Sequence, residues 1–267
     1  MATEEIRGVE LAYDLSGSGP DLVWGHGLTS GMASEDELGL FDFDALREVA
    51  TVLRYDARGH GASGSTPSDD GYHWRELARD QLALADRLGI DRYVAGGASM
   101  GAATALHAAV LAPERITALV LVIPPTAWAT RAAQTDVYAA TAELVAAGDH
   151  ATLLAAAAER PSPDPFTDDP YFGERFERVL RETEPERLAR IFRGAVTTDL
   201  PSPDDVARIE VPTLILAWTG DPGHPVSTAA RLQELMPYAE LALATTPDGL
   251  STWTDRVRHF VDVADPE

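Results

Sequence analysis

Short β-rich runs alternate with helix-patterned segments along most of this 267-residue chain, and that alternation limits the fold more than any other feature. The runs begin with VELAYDL and DLVWGHG and continue through TVLRYDARGHG, RYVAGGA and ALVLVIPP. Between them, WRELARDQLALADRLG sets Leu77, Leu82, Leu84 and Leu88 close to helical spacing, and SMGAATALHAAVLAP is a small-residue helix able to pack tightly on a sheet. This is the pattern of an α/β fold, a mostly parallel sheet with helices on both faces. After Pro125 the strand signal lapses. Residues 126–206 read as Ala-rich amphipathic helices interrupted by RPSPDPFTDDPYF and TTDLPSPDD. The strand pattern returns in VPTLILAW and AELALAT, with helices at STAARLQELM and TWTDRVRHFVDV. We therefore expect one α/β core from residues 1–125 and 207–267. Residues 126–206 are expected to form a helical insertion over the carboxyl edge of the sheet, where open α/β folds bind ligands.

Composition removes several chemistries. The chain has no cysteine, which excludes disulfides, Cys-ligated zinc and a thiol nucleophile. Every basic residue is Arg and none is Lys, which excludes a Schiff-base or P-loop lysine. A net charge of -22 would repel nucleic-acid phosphates and anionic lipid. No apolar run reaches the roughly 18 to 20 residues that span a bilayer, and MATEEIRGVE is acidic where a secretory signal would be basic and then apolar. The expectation is a cytoplasmic protein that acts on a small molecule, without nucleic-acid or membrane partners; the sequence gives no reading of oligomeric state. No two histidines have the spacing of helical metal ligands, so neither a metal nor another cofactor is expected.

The stretch VAGGASMGAA places Ser99 where a strand pattern meets a helix pattern, inside Gly-x-Ser-x-Gly. At such a junction the serine needs a strained turn, and Gly97 and Gly101 remove side chains that would collide across it. The bare pattern also arises by chance. Two further pieces give it weight: GHGLTSG after the DLVW strand, and YDARGHGAS after the next strand. In this order and spacing the three strongly resemble the α/β-hydrolase superfamily, in its capped, esterase- and haloperoxidase-like branch, and the insertion resembles that family's cap. The resemblance covers nearly the whole chain. It implies Ser99 as nucleophile and the backbone N–H groups of Leu28 and Met100 as the oxyanion hole. It also implies Asp221, four residues before Pro225 in WTGDPGHPV, as the acid, and His26, Gly27 and Trp128 as lining of the substrate pocket. A turn-forming role before Pro222 is the alternative for Asp221.

The family closes its triad with a histidine just after the last strand. Here that loop reads ATTPDGLSTW and contains none. A serine hydroxyl needs a base, so a replacement must be sought. His224, on the same loop as Asp221, is the candidate. Against it, two intervening residues make it hard for Asp221 to orient a ring that must also face Ser99, and a histidine before a turn proline can be ordinary loop sequence. Asp248, in the expected loop, is the lesser candidate. His259 falls on the last helix and reads as solvated or packed, His107 as packing beneath the site, His26 and His60 as loop-shaping, and His73 and His150 as surface residues.

Trp128, Tyr138, Phe166, Tyr171, Phe172 and Phe176 supply aromatic side chains to the insertion, either facing a pocket or packing its helices together. PSPDPFTDDPYF reads as a solvent-facing loop that could serve as a lid edge. Three functions remain open. The first is a serine hydrolase acting on a small ester, lactone or related acyl compound through a non-standard triad. The second is a lyase, cyclase or isomerase on the same scaffold, and the third a small-molecule binder without catalysis.

Overall fold

The structure is a computed structural model and describes residues 1–167 and 174–264. Its described residues form a sheet of eight strands: β1 (Ala2–Ile6), β2 (Val9–Gly17), β3 (Asp21–Gly25), β4 (Thr51–Tyr55), β5 (Tyr93–Ala98), β6 (Ile116–Val122), β7 (Thr213–Trp218) and β8 (Ala239–Ala244). The order across the sheet is β1-β2-β4-β3-β5-β6-β7-β8. β2 pairs antiparallel with β1 and β4, and every later pairing is parallel. The mostly parallel α/β sheet expected from the alternation is what forms.

Burial explains which strands the sequence displays. Every residue of β6 and β7 is buried, so both read as near-continuous apolar runs broken only by Thr117 and Thr213. β1 carries Thr3, Glu4 and Glu5 on an edge and lacks that signal. A two-residue turn at Arg7 and Gly8, both at positive φ, folds it back onto β2.

In chain order the helices of the core begin with α1 (Met32–Leu38), α2 (Phe43–Arg47), α3 (Trp74–Leu88) and α4 (Met100–Leu111). Leu77 and Leu84 of α3 are fully buried while Leu82 and Leu88 are half-buried. Between β6 and β7 lie α5 (Arg131–Ala146), α6 (His150–Ala158), α7 (Glu174–Glu182), α8 (Pro185–Val196) and α9 (Pro203–Val206), and no strand occurs there among the described residues. The chain then adds α10 (Val226–Leu235) after β7, and α11 (Pro247–Ser251) and α12 (Trp253–Ala264) after β8.

Two features fasten the insertion to the core. Arg131 of α5 donates to the Thr198 and Ala195 carbonyls within the insertion and lies over the Trp74 ring of the core. Arg187 of α8 donates to the carbonyls of Gly59, Gly61 and Ser63 in the loop after β4. Among the described residues no helix is long and apolar enough to cross a membrane.

Candidate active site

Ser99 follows the last residue of β5 and caps α4. Its backbone sits at φ 53° and ψ -107°, a conformation that costs a non-glycine residue about 1–3 kcal/mol. Packing holds it there. The Ser99 N–H donates to the Val122 carbonyl at 2.9 Å, extending the β5–β6 ladder through the strained residue. A Cβ built on Gly97 would lie 2.2 Å from the Gly25 carbonyl oxygen, and one on Gly101 only 1.9 Å from it. The two glycines let the strand-to-helix turn press against the end of β3. The Ser99 side chain is thereby aimed away from the helix at the carboxyl edge of the sheet.

His224 meets it. The His224 Nε2 lies 2.7 Å from Ser99 Oγ, and its Nδ1 lies 2.7 Å from Asp221 Oδ2. The separation that argued against this arrangement is what makes it possible. The His224 N–H donates to the Asp221 carbonyl at 3.2 Å, so residues 221–224 form one tight turn with both side chains on the same side. A carboxylate only accepts, which puts the imidazole proton on Nδ1 and leaves the Nε2 lone pair facing the serine hydroxyl. Asp221 is itself held by N–H donors: Trp218 Nε1 to Oδ2 at 2.9 Å and the Gly223 amide to Oδ1 at 2.8 Å. Burial alone would raise its pKa. The His224 ring and these hydrogen bonds outweigh that and hold it at about 2.

The other candidates for the base stand apart. Asp248 is exposed in the first turn of α11, in the segment read as a loop; Thr246 caps that helix by accepting from the Gly249 amide. His259 is exposed on α12. His107 contacts the Asp199 carbonyl and His73 the Thr197 hydroxyl.

Facing Ser99 is the loop after β3. A Cβ on Gly27 would lie 3.8 Å from Ser99 Cβ, so the glycine borders the serine directly. Met100 is the first residue of α4, where the amide has no carbonyl four residues back within the helix. The loop that carries Leu28 is tied to the loop after β4 by three cross-links. His26 Nε2 accepts from the Ala57 amide at 2.9 Å, Asp56 Oδ1 accepts from the Met32 amide at 2.7 Å, and His60 Nε2 lies 2.7 Å from the Leu28 carbonyl. Burial pushes His26 down to about 4 and His60 to about 3, so both rings are neutral near pH 7.

Pocket lining by His26 and a wholly solvent-facing PSPDPF need correcting, and the other candidates take defined places. His26, expected in the pocket lining, is buried with one ring nitrogen on the Ala57 amide and the other on the Gly27 carbonyl, so it ties loops together. The Trp128 indole N–H donates to the Pro201 carbonyl, and its amide is held by the Asp199 carboxylate. These bonds place the residue across the entry and exit of the insertion. Tyr138 is buried between helices, against Phe192 and beneath the Arg131 guanidinium. PSPDPF is not wholly solvent-facing: Pro163 and Pro165 are buried, and Asp164 to Phe166 make a turn whose first amide donates to the Thr219 carbonyl at 2.9 Å. Tyr171 and Phe172 lie outside the described residues, as does the side chain of Phe176. Trp218 and Asp56 were not singled out from the sequence. A buried Trp at a strand end needs a partner for its N–H, and that was the available signal for Trp218. Among the described residues no group of three or more His, Asp or Glu could hold a metal ion.

A family model described as alpha/beta hydrolase fold matches residues 22–246. The chain is 29% identical over 191 residues to 3-oxoadipate enol-lactonase 2 of Acinetobacter baylyi, covering 71% of this chain and 68% of that protein. A hydrolase from Pseudomonas aeruginosa PA01 superposes with a TM-score of 0.75 at 29% identity, over 97% of this chain and 95% of that one. The enol-lactonase from Burkholderia xenovorans LB400 shares the fold, with a TM-score of 0.74 at 24% identity over 97% and 96% of the two chains.

Proposed function

The chain belongs to the α/β-hydrolase family, and from that premise we propose that it is a serine hydrolase of small esters or lactones. Ser99 is the nucleophile, His224 its base and Asp221 the group that orients the base. The observation that carries this reading is the unbroken pair of 2.7 Å contacts from Ser99 through His224 to Asp221. The enol-lactonase and hydrolase relatives support the substrate class.

In the first half-reaction, Ser99 Oγ attacks the acyl carbon as His224 Nε2 takes the hydroxyl proton. Asp221, with its pKa near 2, stays ionised and stabilises the imidazolium that forms. Charge building on the carbonyl oxygen is met by the amides of Leu28 and Met100. When the intermediate collapses, His224 returns its proton to the leaving alkoxide; in a lactone that alkoxide remains part of the acyl chain. Water then attacks the acyl-serine with His224 again as base, releasing acid and restoring Ser99. The strained backbone of Ser99 and the three ties on the Leu28 loop fix nucleophile and oxyanion donors in advance, so little reorganisation accompanies attack. Residues 126–206 act as the cap that shapes the acyl site. An intact base weakens the case for non-hydrolytic chemistry or simple binding, both of which rested on its absence.

The test is turnover of p-nitrophenyl acetate and of a panel of γ- and δ-lactones by wild type and Ser99→Ala. Hydrolysis that disappears in the variant supports the reading. Equal turnover by both removes Ser99 from the reaction.

A further inference from the structure

The base and its orienting acid share one short loop, residues 219–225, which leaves β7 and contains Gly220 and Gly223. A loop carrying both groups could shift them together off Ser99, so whatever braces it controls the site. The brace comes from the insertion. The Asp164 amide donates to the Thr219 carbonyl at 2.9 Å, and a Cβ on Gly220 would fall 2.8 Å from the Asp164 amide nitrogen and 2.3 Å from its Oδ1, so turn and loop touch through backbone and side chain. Two residues on, the Phe166 ring meets Trp218 edge-on at 5.3 Å.

Trp218 connects that contact to the chemistry. It is buried at the end of β7, lies parallel to Trp253 at 6.1 Å and meets the His224 ring edge-on at 6.2 Å. Its N–H donates to Asp221 Oδ2, the same oxygen that receives His224 Nδ1. Phe166 is thus one ring away from the base and, through the indole, one hydrogen bond away from the acid. The segment after β8 brings no histidine to Ser99, since His259 is exposed on α12; it brings Trp253, which stacks on the indole.

We propose that Phe166 and Trp218 are positioning residues, through which the insertion holds Asp221 and His224 in line with Ser99. Phe166 fixes the indole plane, the indole fixes the Asp221 carboxylate, and the carboxylate fixes the His224 ring. The inference rests on the reading of Ser99, His224 and Asp221 as the reacting set. It assigns the insertion a part in base alignment as well as in enclosing substrate. Alignment matters because a displacement of about 1 Å in a reacting group can cost about 100-fold in rate.

The full-length variants Phe166→Ala, Phe166→Leu and Trp218→Phe test it, with two readouts. One is kcat and KM for p-nitrophenyl acetate. The other, independent of turnover, is the downfield proton resonance of the His224 Nδ1–H bonded to Asp221, assigned by its loss in His224→Gln. Phe166→Ala is expected to lower kcat by about 10-fold or more with KM little changed, and to broaden or abolish the resonance. Phe166→Leu, which refills the contact, should restore most of both. Trp218→Phe keeps the packing but loses the N–H and should match Phe166→Ala. Wild-type kcat and resonance in both Phe166→Ala and Trp218→Phe would overturn the proposal. If Phe166→Ala does not fold, the other two variants decide. If wild type proves inactive on both the ester and the lactones, the assignment of Ser99 fails, while the resonance still decides alignment. Its loss on Phe166→Ala supports the brace, and its persistence, or its absence from wild type, refutes it.

Discussion

Gly101→Ala adds one methyl group at the point where the Ser99 turn presses on the sheet. The new Cβ would lie 1.9 Å from the Gly25 carbonyl oxygen and 2.4 Å from its carbon. Reaching ordinary contact requires α4 and the end of β3 to separate by about 1.5 Å. Neither can yield cheaply, because Met100, Ala102, Ala103 and Ala105 of α4 are buried and β3 is paired on both sides. Overpacking of this size costs about 3 kcal/mol, the upper end of the usual range. For a chain of this length that lowers Tm by about 6–12 °C. The same movement shifts the Met100 amide and Ser99 relative to His224, so kcat should fall by about 100-fold. Thermal unfolding and p-nitrophenyl acetate hydrolysis measure the two effects. Gly148→Ala is the control: it has open space around it and φ +68°, so backbone strain alone should cost about 1–2 kcal/mol without loss of kcat. A Gly101→Ala protein with wild-type Tm and kcat would refute the packing account of the turn.

Other consequences can be measured directly. Asp221 has a folded pKa of about 2 against 3.8, a depressed value, so its stabilisation is complete above about pH 4 and lost as pH falls through about 2. The difference corresponds to about 2 kcal/mol. Urea titrations at pH 5, 3 and 2 should show the stability gap between wild type and Asp221→Asn closing by that amount, and a gap independent of pH would contradict the assignment. His60→Ala leaves the Leu28 carbonyl without its ring partner, which should cost about 1–3 kcal/mol in urea unfolding and lower kcat more than it changes KM. A His60→Ala enzyme that loses stability but keeps kcat would show that the tie does not serve the proposed oxyanion role of the Leu28 loop.

Much of this architecture was legible because burial writes itself into sequence. β6 and β7 are buried on both faces and stand out as apolar runs, and α3 keeps its buried leucines at helical spacing. β1 was not legible, since an exposed edge strand reading ATEEI has no apolar face to announce it. α11 hid inside TTPDGLS, whose Pro and Gly read as a turn, although a capping Thr followed by Pro at the first helical position also starts a helix. The serine was visible from its glycines, because the collision they avoid is local. The partner of Ser99 was harder: the spacing of Asp221 and His224 says nothing about the turn that folds one toward the other. The contact of Phe166 with Trp218 joins residues far apart in the chain, and periodicity carries no trace of it.

The most direct measurement is the rate of labelling by a fluorophosphonate probe in wild type, Ser99→Ala, His224→Ala, Asp248→Asn and His259→Ala. Rapid labelling in wild type, retained in Asp248→Asn and His259→Ala and lost in Ser99→Ala and His224→Ala, is the expected result. Labelling that survives His224→Ala at the wild-type rate would contradict the central claim that a histidine on the Asp221 turn activates Ser99.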